Sequence, residues 1–277
     1  MMIVSPTRAA VTAATSLGVV CDDPVVLHDG SNVVVHLRPA PVVARVATLT
    51  ASIRPGIGSW FRRDALVARH LASRGVLATT PIEPAVHVDG YTVGLWRYET
   101  HDPSHVISPG EVATRLYDLH VALADLDAAL PRLSPFSDLR HAFRLVEGVL
   151  PAAETLRTEA GRLEETLSRF PTRPLHGDAH PGNLLATPSG LMWNDFEDTW
   201  LGPLGWDLSC LATSGRVDGA AAVAAYPGSV PAEELDACVE LRTLFGVVWR
   251  FVMATRFPAR RAEADEHLSR WLADRVT

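Results

Sequence analysis

The chain contains no lysine: all 25 of its lysine-or-arginine positions are arginine. Any strong cation its chemistry needs must therefore be a guanidinium, planar, permanently charged and able to grip two oxygens at once. With its many alanines, this reads as compositional bias. A cysteine framework is also missing. Cys21, Cys210 and Cys238 are odd in number and far apart, which excludes a disulfide scaffold or a cysteine metal cluster. Reduced thiols in the cytoplasm are the expectation. No long apolar run is present. The most apolar late stretch, residues 245–254, is interrupted by Arg250 and is shorter than the ~20 residues of a bilayer span. The first residues lack a basic region followed by an apolar stretch, so no secretory signal is read. Positive charge is in deficit, with a net charge of -7, which argues against nucleic acid or an anionic membrane as partner.

What is present is ordinary for a globular protein. The 277 residues are 47% apolar and 21% charged, enough for one large domain or two modest ones. Residues 6–18 read as a short helix, opened by Pro6 and closed by Gly18. Strands are expected at 25–28, 32–37 and 42–48, with Asp29-Gly30 as a hairpin turn. A helix over 62–74 stops at Gly75, and two further strands at 85–88 and 91–98 meet at Asp89-Gly90. Beyond Glu99 the character changes. Ser108-Pro109-Gly110-Glu111 is a capping-box sequence that starts a helix reaching about 127. Residues 151–170 form another helical stretch, two short apolar pieces lie at 174–175 and 191–193, and the chain from 204 is mainly helical. A sheet-rich part and a helical part meet near residues 97–102.

The chemistry is concentrated in residues 175–207, which run Leu175-His176-Gly177-Asp178, Asn183, Asp195-Phe196-Glu197-Asp198 and Trp206-Asp207. Phosphoryl transfer from a nucleoside triphosphate needs a carboxylate beside the attacking hydroxyl, oxygen ligands for Mg²⁺, and a cation on the remaining phosphates. Asp178 and Asn183 share a loop with Pro181 and Gly182 that can turn both side chains toward one point. Asp195 follows an apolar strand-like piece. Carboxylate and amide oxygens suit Mg²⁺, which takes few protein ligands.

At these residues the sequence resembles the catalytic loop and metal motif of aminoglycoside phosphotransferases and the related choline and sugar kinases. The resemblance implies an α+β, protein-kinase-like fold of two lobes with ATP or GTP in the cleft. Residues 1–98 would be the small antiparallel-sheet, nucleotide-binding lobe, and residues 99–277 the larger, mainly helical lobe for catalysis and substrate. It further implies that Asp178 is the catalytic base, that Asn183 and Asp195 hold Mg²⁺, and that His176 and Asp207 support the loop. His180 matches a frequent family position without an assigned role. Asp29-Gly30-Ser31-Asn32 lies where the family covers the phosphates, and Arg97 and Tyr98 where it binds adenine through the backbone. Arg45 stands where a lysine is usual, with Asp64 as its acid in place of a glutamate.

Other readings stay open at this stage. His176-x-Asp178-x-His180 could ligate a metal as in metallohydrolases, but Asn183 and Asp195 would then have no role. A simple hairpin turn explains Ser31 as well as a phosphate loop does. Glu197 and Asp198 read as substrate contacts or, in slight preference, as solvated loop charges, His120 as a packed histidine, and Glu233, Asp236 and Glu240 as a solvated helix face. Arg242, Arg250 and Arg256 disfavour a strongly cationic ligand. The leading expectation is a kinase acting on a hydroxyl of a small molecule. Its rival is a pseudokinase-like nucleotide-binding module without turnover, suggested by Arg45. The sequence does not specify an oligomeric state.

Overall fold

The computed structural model describes residues 4–275. In chain order the first elements are α1 (Pro6–Ser16), β1 (Cys21–Asp29), β2 (Asn32–Pro39), β3 (Val42–Ala47), α2 (Leu49–Ile53), α3 (Gly58–Ser73), β4 (Pro81–Val88), β5 (Tyr91–Arg97) and α4 (Pro109–Leu123). They are followed by α5 (Ser134–Leu145), α6 (Ala153–Leu167), β6 (Arg173–Leu175), β7 (Leu184–Thr187), β8 (Gly190–Trp193), β9 (Trp200–Gly202), α7 (Gly205–Ala212), α8 (Gly219–Ala225), α9 (Ala232–Arg256) and α10 (Arg261–Ala273). The chain divides into two compact units. One holds residues 4–105 plus 184–197; the other holds 106–183 plus 198–275.

The first unit is built on an antiparallel sheet in the order β1-β2-β3-β5-β4. Its valine-rich strands favour the pleated surface, and Val33, Val35, Leu37, Val42, Ala44, Val46, Val93 and Leu95 are buried from it. The cover on this core is α1, which buries Ala9, Ala10, Ala13 and Ala14 against it, with Val11 partly buried beside them. Such small side chains let a helix approach a sheet closely. Ser5 caps α1 by accepting from the Arg8 N–H at 3.3 Å. Between β3 and β4 the sequence reading had one helix; the structure has two. Pro55 cannot continue α2, and Gly56 adopts a φ of 70°, a left-handed conformation that ends the turn. The β7–β8 hairpin belongs to this unit although it lies far along the chain. Thr79 N–H donates to Trp193 O at 3.0 Å, Trp193 N–H to Leu77 O at 2.9 Å, and Asp102 N–H to Ala186 O at 2.9 Å.

The second unit is mainly helical. Ser108 and Glu111 cap α4 reciprocally, as the capping-box sequence requires. The long α9 buries Leu241, Leu244, Val248, Phe251 and Val252, and α6, α7 and α10 pack on it. β6 and β9 form a short antiparallel pair that delivers the chain into His176. Helix α5 went unread in the sequence, although Pro135 stands in its first turn. No helix among the described residues is long and apolar enough to cross a membrane.

Candidate active site

In the helical unit the loop after β6 is fixed by its own backbone. Gly177 has a φ of 90°, and a Cβ there would run into the Asp198 carbonyl, so only glycine fits. His180 N–H donates to Asp178 O, and Asn183 N–H to His180 O, both at 2.9 Å. The loop turns Asp178 and Asn183 together. Asn183 Nδ2 donates to Asp178 O at 2.9 Å and reaches Asp178 Oδ2 at 3.4 Å. Its Oδ1, the atom a hard cation would take, is left with no donor among the described residues.

His180 acquires a role. Its Nδ1 accepts from the Gly182 N–H at 2.9 Å, so in the neutral ring the proton sits on Nε2, which faces Asp178 Oδ2 at 3.4 Å. Arg242, from α9, gives Nη2 to Asp178 Oδ1 at 2.5 Å. Burial alone would raise the Asp178 carboxyl, but Arg242 and His180 outweigh it and hold the group well below the usual carboxylate range.

The loop is braced from α7 by a single buried acid. Asp207 is fully buried and accepts from His176 N–H at 2.8 Å, Gly177 N–H at 2.9 Å and His120 Nε2 at 2.9 Å. His120 Nδ1 in turn meets the Tyr226 hydroxyl at 2.8 Å. Next to Asp207, Trp206 Nε1 donates to Gly177 O at 2.7 Å. His120, a packed histidine on the sequence reading, is thus part of the brace. An isolated histidine on an apolar helix carries no sign of a partner 87 residues away.

In the sheet unit the cations of β3 and its neighbours meet the Asp195 segment. Arg45 donates to Asp64 through Nη2 and to Asp195 through Nη1, and Glu197 lies 3.3 Å from it. Its guanidinium stacks 4.5 Å from the centre of Trp96 and 4.9 Å from that of Phe61. Arg54 Nη1 donates to Glu197 Oε1 at 2.7 Å, and Arg63 Nη1 to the Glu197 carbonyl at 2.7 Å. Both arginines flank Trp60, at 4.2 and 4.6 Å from its ring centre. Glu197 is consequently buried, not a solvated loop charge. The buried Arg54 and Arg45 on its carboxylate, with Arg63 on its carbonyl, offset its intrinsic preference for water.

Around Arg45, three carboxylates meet one guanidinium. Burial pushes the Asp64 carboxyl up to about 7, Asp195 and Glu197 add to the rise, and Arg45 opposes it. Burial works against the charge on Arg45, yet the same three carboxylates hold that charge above the ordinary value for arginine. Asp195 has a φ of 68°, left-handed backbone that aspartate tolerates better than most residues. Its side chain is a third exposed, and Oδ2 accepts no hydrogen bond among the described residues. The donor set fits Mg²⁺: hard oxygens, and on Asp195 one oxygen still open.

Beside this cluster lies an open cavity of about 210 Å³, smaller than the roughly 300–1,000 Å³ usual for small-molecule sites. Leu27, Val34, Val43, Trp96, Tyr98 and Leu185 supply apolar wall, and Arg45, Asp64, Asn194 and Asp195 a polar end. Arg97 also lines it, but its N–H donates to Thr80 O at 2.8 Å and that of Tyr98 to Pro41 O at 2.9 Å. Those two N–H groups are therefore already engaged. Tyr98 stacks on His36 at 3.9 Å. Ser31 is not among the lining residues; it sits at the β1–β2 turn, where its carbonyl accepts from Leu49 N–H at 2.9 Å and Thr48 Oγ1 at 2.9 Å.

The similarities to known proteins agree with this picture. No curated protein matches the chain in sequence. Among solved structures, a choline/ethanolamine kinase family protein from Mesorhizobium loti superposes with a TM-score of 0.65 at 22% identity, covering 98% of this chain and 94% of that one. The GDP and kanamycin complex of APH(2")-IIia gives 0.67 at 16%, covering 96% and 98%. Amicoumacin kinase hAmiN, in complex with AMP-PNP, Ca²⁺ and Ami, gives 0.66 at 12%, covering 92% of each chain. At these identities the likeness is one of fold: α+β, with an N-terminal antiparallel sheet and a mainly helical C-terminal part. The family model described as "phosphotransferase enzyme family" matches residues 60–229, more than half of the chain, and the protein belongs to that family.

Proposed function

We propose that this protein is an ATP- or GTP-dependent phosphotransferase acting on a hydroxyl group of a small molecule, of the aminoglycoside, sugar or amino-alcohol type. The observation that carries the reading is the Asp178–Asn183 loop, which pairs an accessible carboxylate with an amide oxygen left without a donor. Small-molecule and nucleotide ligands in the solved relatives support it.

In this reading Asp178 is the base. The acceptor oxygen bonds to the γ-phosphorus, the bond from that phosphorus to the β,γ-bridging oxygen breaks, and the hydroxyl proton passes to Asp178 and then to solvent. The nucleoside diphosphate leaves. Little covalent help is needed, so positioning and charge neutralisation dominate. Asn183 Oδ1 and Asp195 Oδ2 are the atoms we assign to Mg²⁺, which when bound neutralises charge on the phosphate oxygens. Residues 1–98 form the nucleotide-binding lobe, with Ser31 in the phosphate-covering turn, Arg45 on the α and β phosphates with Asp64 as its partner, and Arg97 and Tyr98 beside the base. Residues 99–277, apart from 99–105 and 184–197, which fold with the sheet unit, form the catalytic and acceptor-binding lobe, in which His176 and Asp207 shape the loop. The partners are small molecules rather than nucleic acid or membrane, and the location is cytoplasmic.

One observation favours the rival, a nucleotide-binding module without turnover: the cation meant for phosphate is engaged by three acids. Purified protein supplied with Mg-ATP and a panel of hydroxyl compounds separates the two. Acceptor-dependent ADP release, lost in Asp178→Asn, is the expected result. Nucleotide binding without ADP release for any acceptor would establish the rival.

A further inference from the structure

The surroundings of Asp178 are unusual for a base that must accept a proton from a cationic substrate. Arg242 gives one of its five donors to Asp178 Oδ1 at 2.5 Å and makes no other hydrogen bond among the described residues. Its side chain remains 22% exposed. The ring of Trp206 lies 5.7 Å from its guanidinium carbon. A second guanidinium borders the same loop: Arg216 is exposed, and its Nε lies 3.2 Å from where a Cβ on Gly182 would be. No ion pair holds Arg216 among the described residues. The titratable groups facing Arg242 are Cys210, Asp178 and Asp198, while Asp207 is engaged by its three donors.

Each class of acceptor meets this arrangement differently. A polycation would face two guanidiniums and find in Asp178 a carboxylate already neutralised. A neutral alcohol would leave Arg242 on Asp178 Oδ1, occupying an oxygen that the acceptor hydroxyl could use. An acceptor bearing an oxyanion would offer Arg242 a partner matched to its planar fork and release Asp178 to act as base. We propose that the acceptor is a hydroxylated small molecule carrying a carboxylate or phosphate group, that Arg242 binds this group with Arg216 assisting, and that its arrival moves Arg242 off Asp178. This sets aside the cationic aminoglycoside and amino-alcohol acceptors of the proposed phosphotransferase in favour of an anionic one, and it rests on Asp178 as the base.

The test has a binding arm and a turnover arm, both on the full chain. Calorimetric titration with inorganic phosphate, in the presence of Mg-AMP-PNP, should show binding to wild type. Arg242→Gln should weaken it about tenfold or more, the scale of one charged hydrogen bond. Arg242→Lys should be intermediate and Arg216→Gln milder, with melting curves confirming that each variant folds. Equal phosphate affinity in wild type and Arg242→Gln, or no phosphate binding to wild type, overturns the proposal. Binding seen only without AMP-PNP also overturns it, because Arg242 would then serve the transferred phosphoryl group. For turnover, matched acceptors differing by one anionic group are compared: glycerate with glycerol, serine with ethanolamine. The anionic member should have the higher kcat/KM, and Arg242→Gln should erase the difference mainly through KM. Preference for ethanolamine, choline or kanamycin contradicts it. Failure of the phosphotransferase reading looks different: no acceptor of either charge releases ADP, whatever the phosphate titration shows.

Discussion

Asp207→Asn isolates the brace of the catalytic loop. The aspartate receives three donors at 2.8–2.9 Å in a fully buried position. Asparagine keeps the shape but replaces one accepting oxygen by an NH₂ group, which must face a donor. At least one of the His176 and Gly177 N–H groups then loses its partner without regaining water, at about 1–3 kcal/mol. The remaining bonds lose charge assistance. The expected local cost is about 2–4 kcal/mol, below the ~3–5 kcal/mol of removing one partner of a buried ion pair outright. Hydrogen exchange read by peptide mass spectrometry is the suitable assay, because two compact units need not unfold as one. Exchange at residues 176 and 177 should accelerate roughly 30- to 700-fold, at tenfold per 1.4 kcal/mol, while the sheet core around Val35 and Val46 stays near wild type. Acceleration below about threefold would show that Asp207 does not hold the loop, and the account of the brace would fail.

Two further outcomes follow from the ion pairs. Arg45→Lys replaces a fork that serves Asp64 and Asp195 together by a single ammonium, so Mg-ATP affinity should fall. Adding Asp64→Glu should restore more than the sum of the single effects, and a double-mutant coupling of zero would remove the pair from the site. The second concerns acid. The Asp178 pKa is depressed in the folded protein, so its ion pair contributes stability above the ordinary carboxylate pKa of roughly 3.9 and loses it as pH falls through the lower folded value. The difference in stability between wild type and Asp178→Asn should therefore shrink below pH ~4; a difference independent of pH contradicts the depressed value.

What the sequence disclosed depended on how local each feature was. The Asp178–Asn183 spacing is contained in one loop, and the Arg45 and Asp64 positions follow from a strand and the first turns of the next long helix. Strand and hairpin signals such as Asp29-Gly30 and Asp89-Gly90 work over a few residues, and the observed sheet contains those strands. Glu197 was misread because its burial depends on Arg54 and Arg63, more than 130 residues earlier. Arg242 sits on a helix that buries a long apolar face, and its meeting with Asp178 spans 64 residues. The assignment of the β7–β8 hairpin to the sheet unit is likewise made by long-range backbone bonds to residues 77–79 and 102, which leave no mark on the hairpin's own sequence.

The central claim, Asp178 as the base of a phosphoryl transfer, is tested most directly by comparing wild type with Asp178→Asn in steady-state turnover and in Mg-ATP binding. The account predicts that kcat falls by a factor of ~10²–10⁴, the usual worth of a positioned general base, while the dissociation constant of Mg-ATP changes little. An Asp178→Asn protein with wild-type kcat, or one whose whole loss lies in nucleotide affinity, would contradict it.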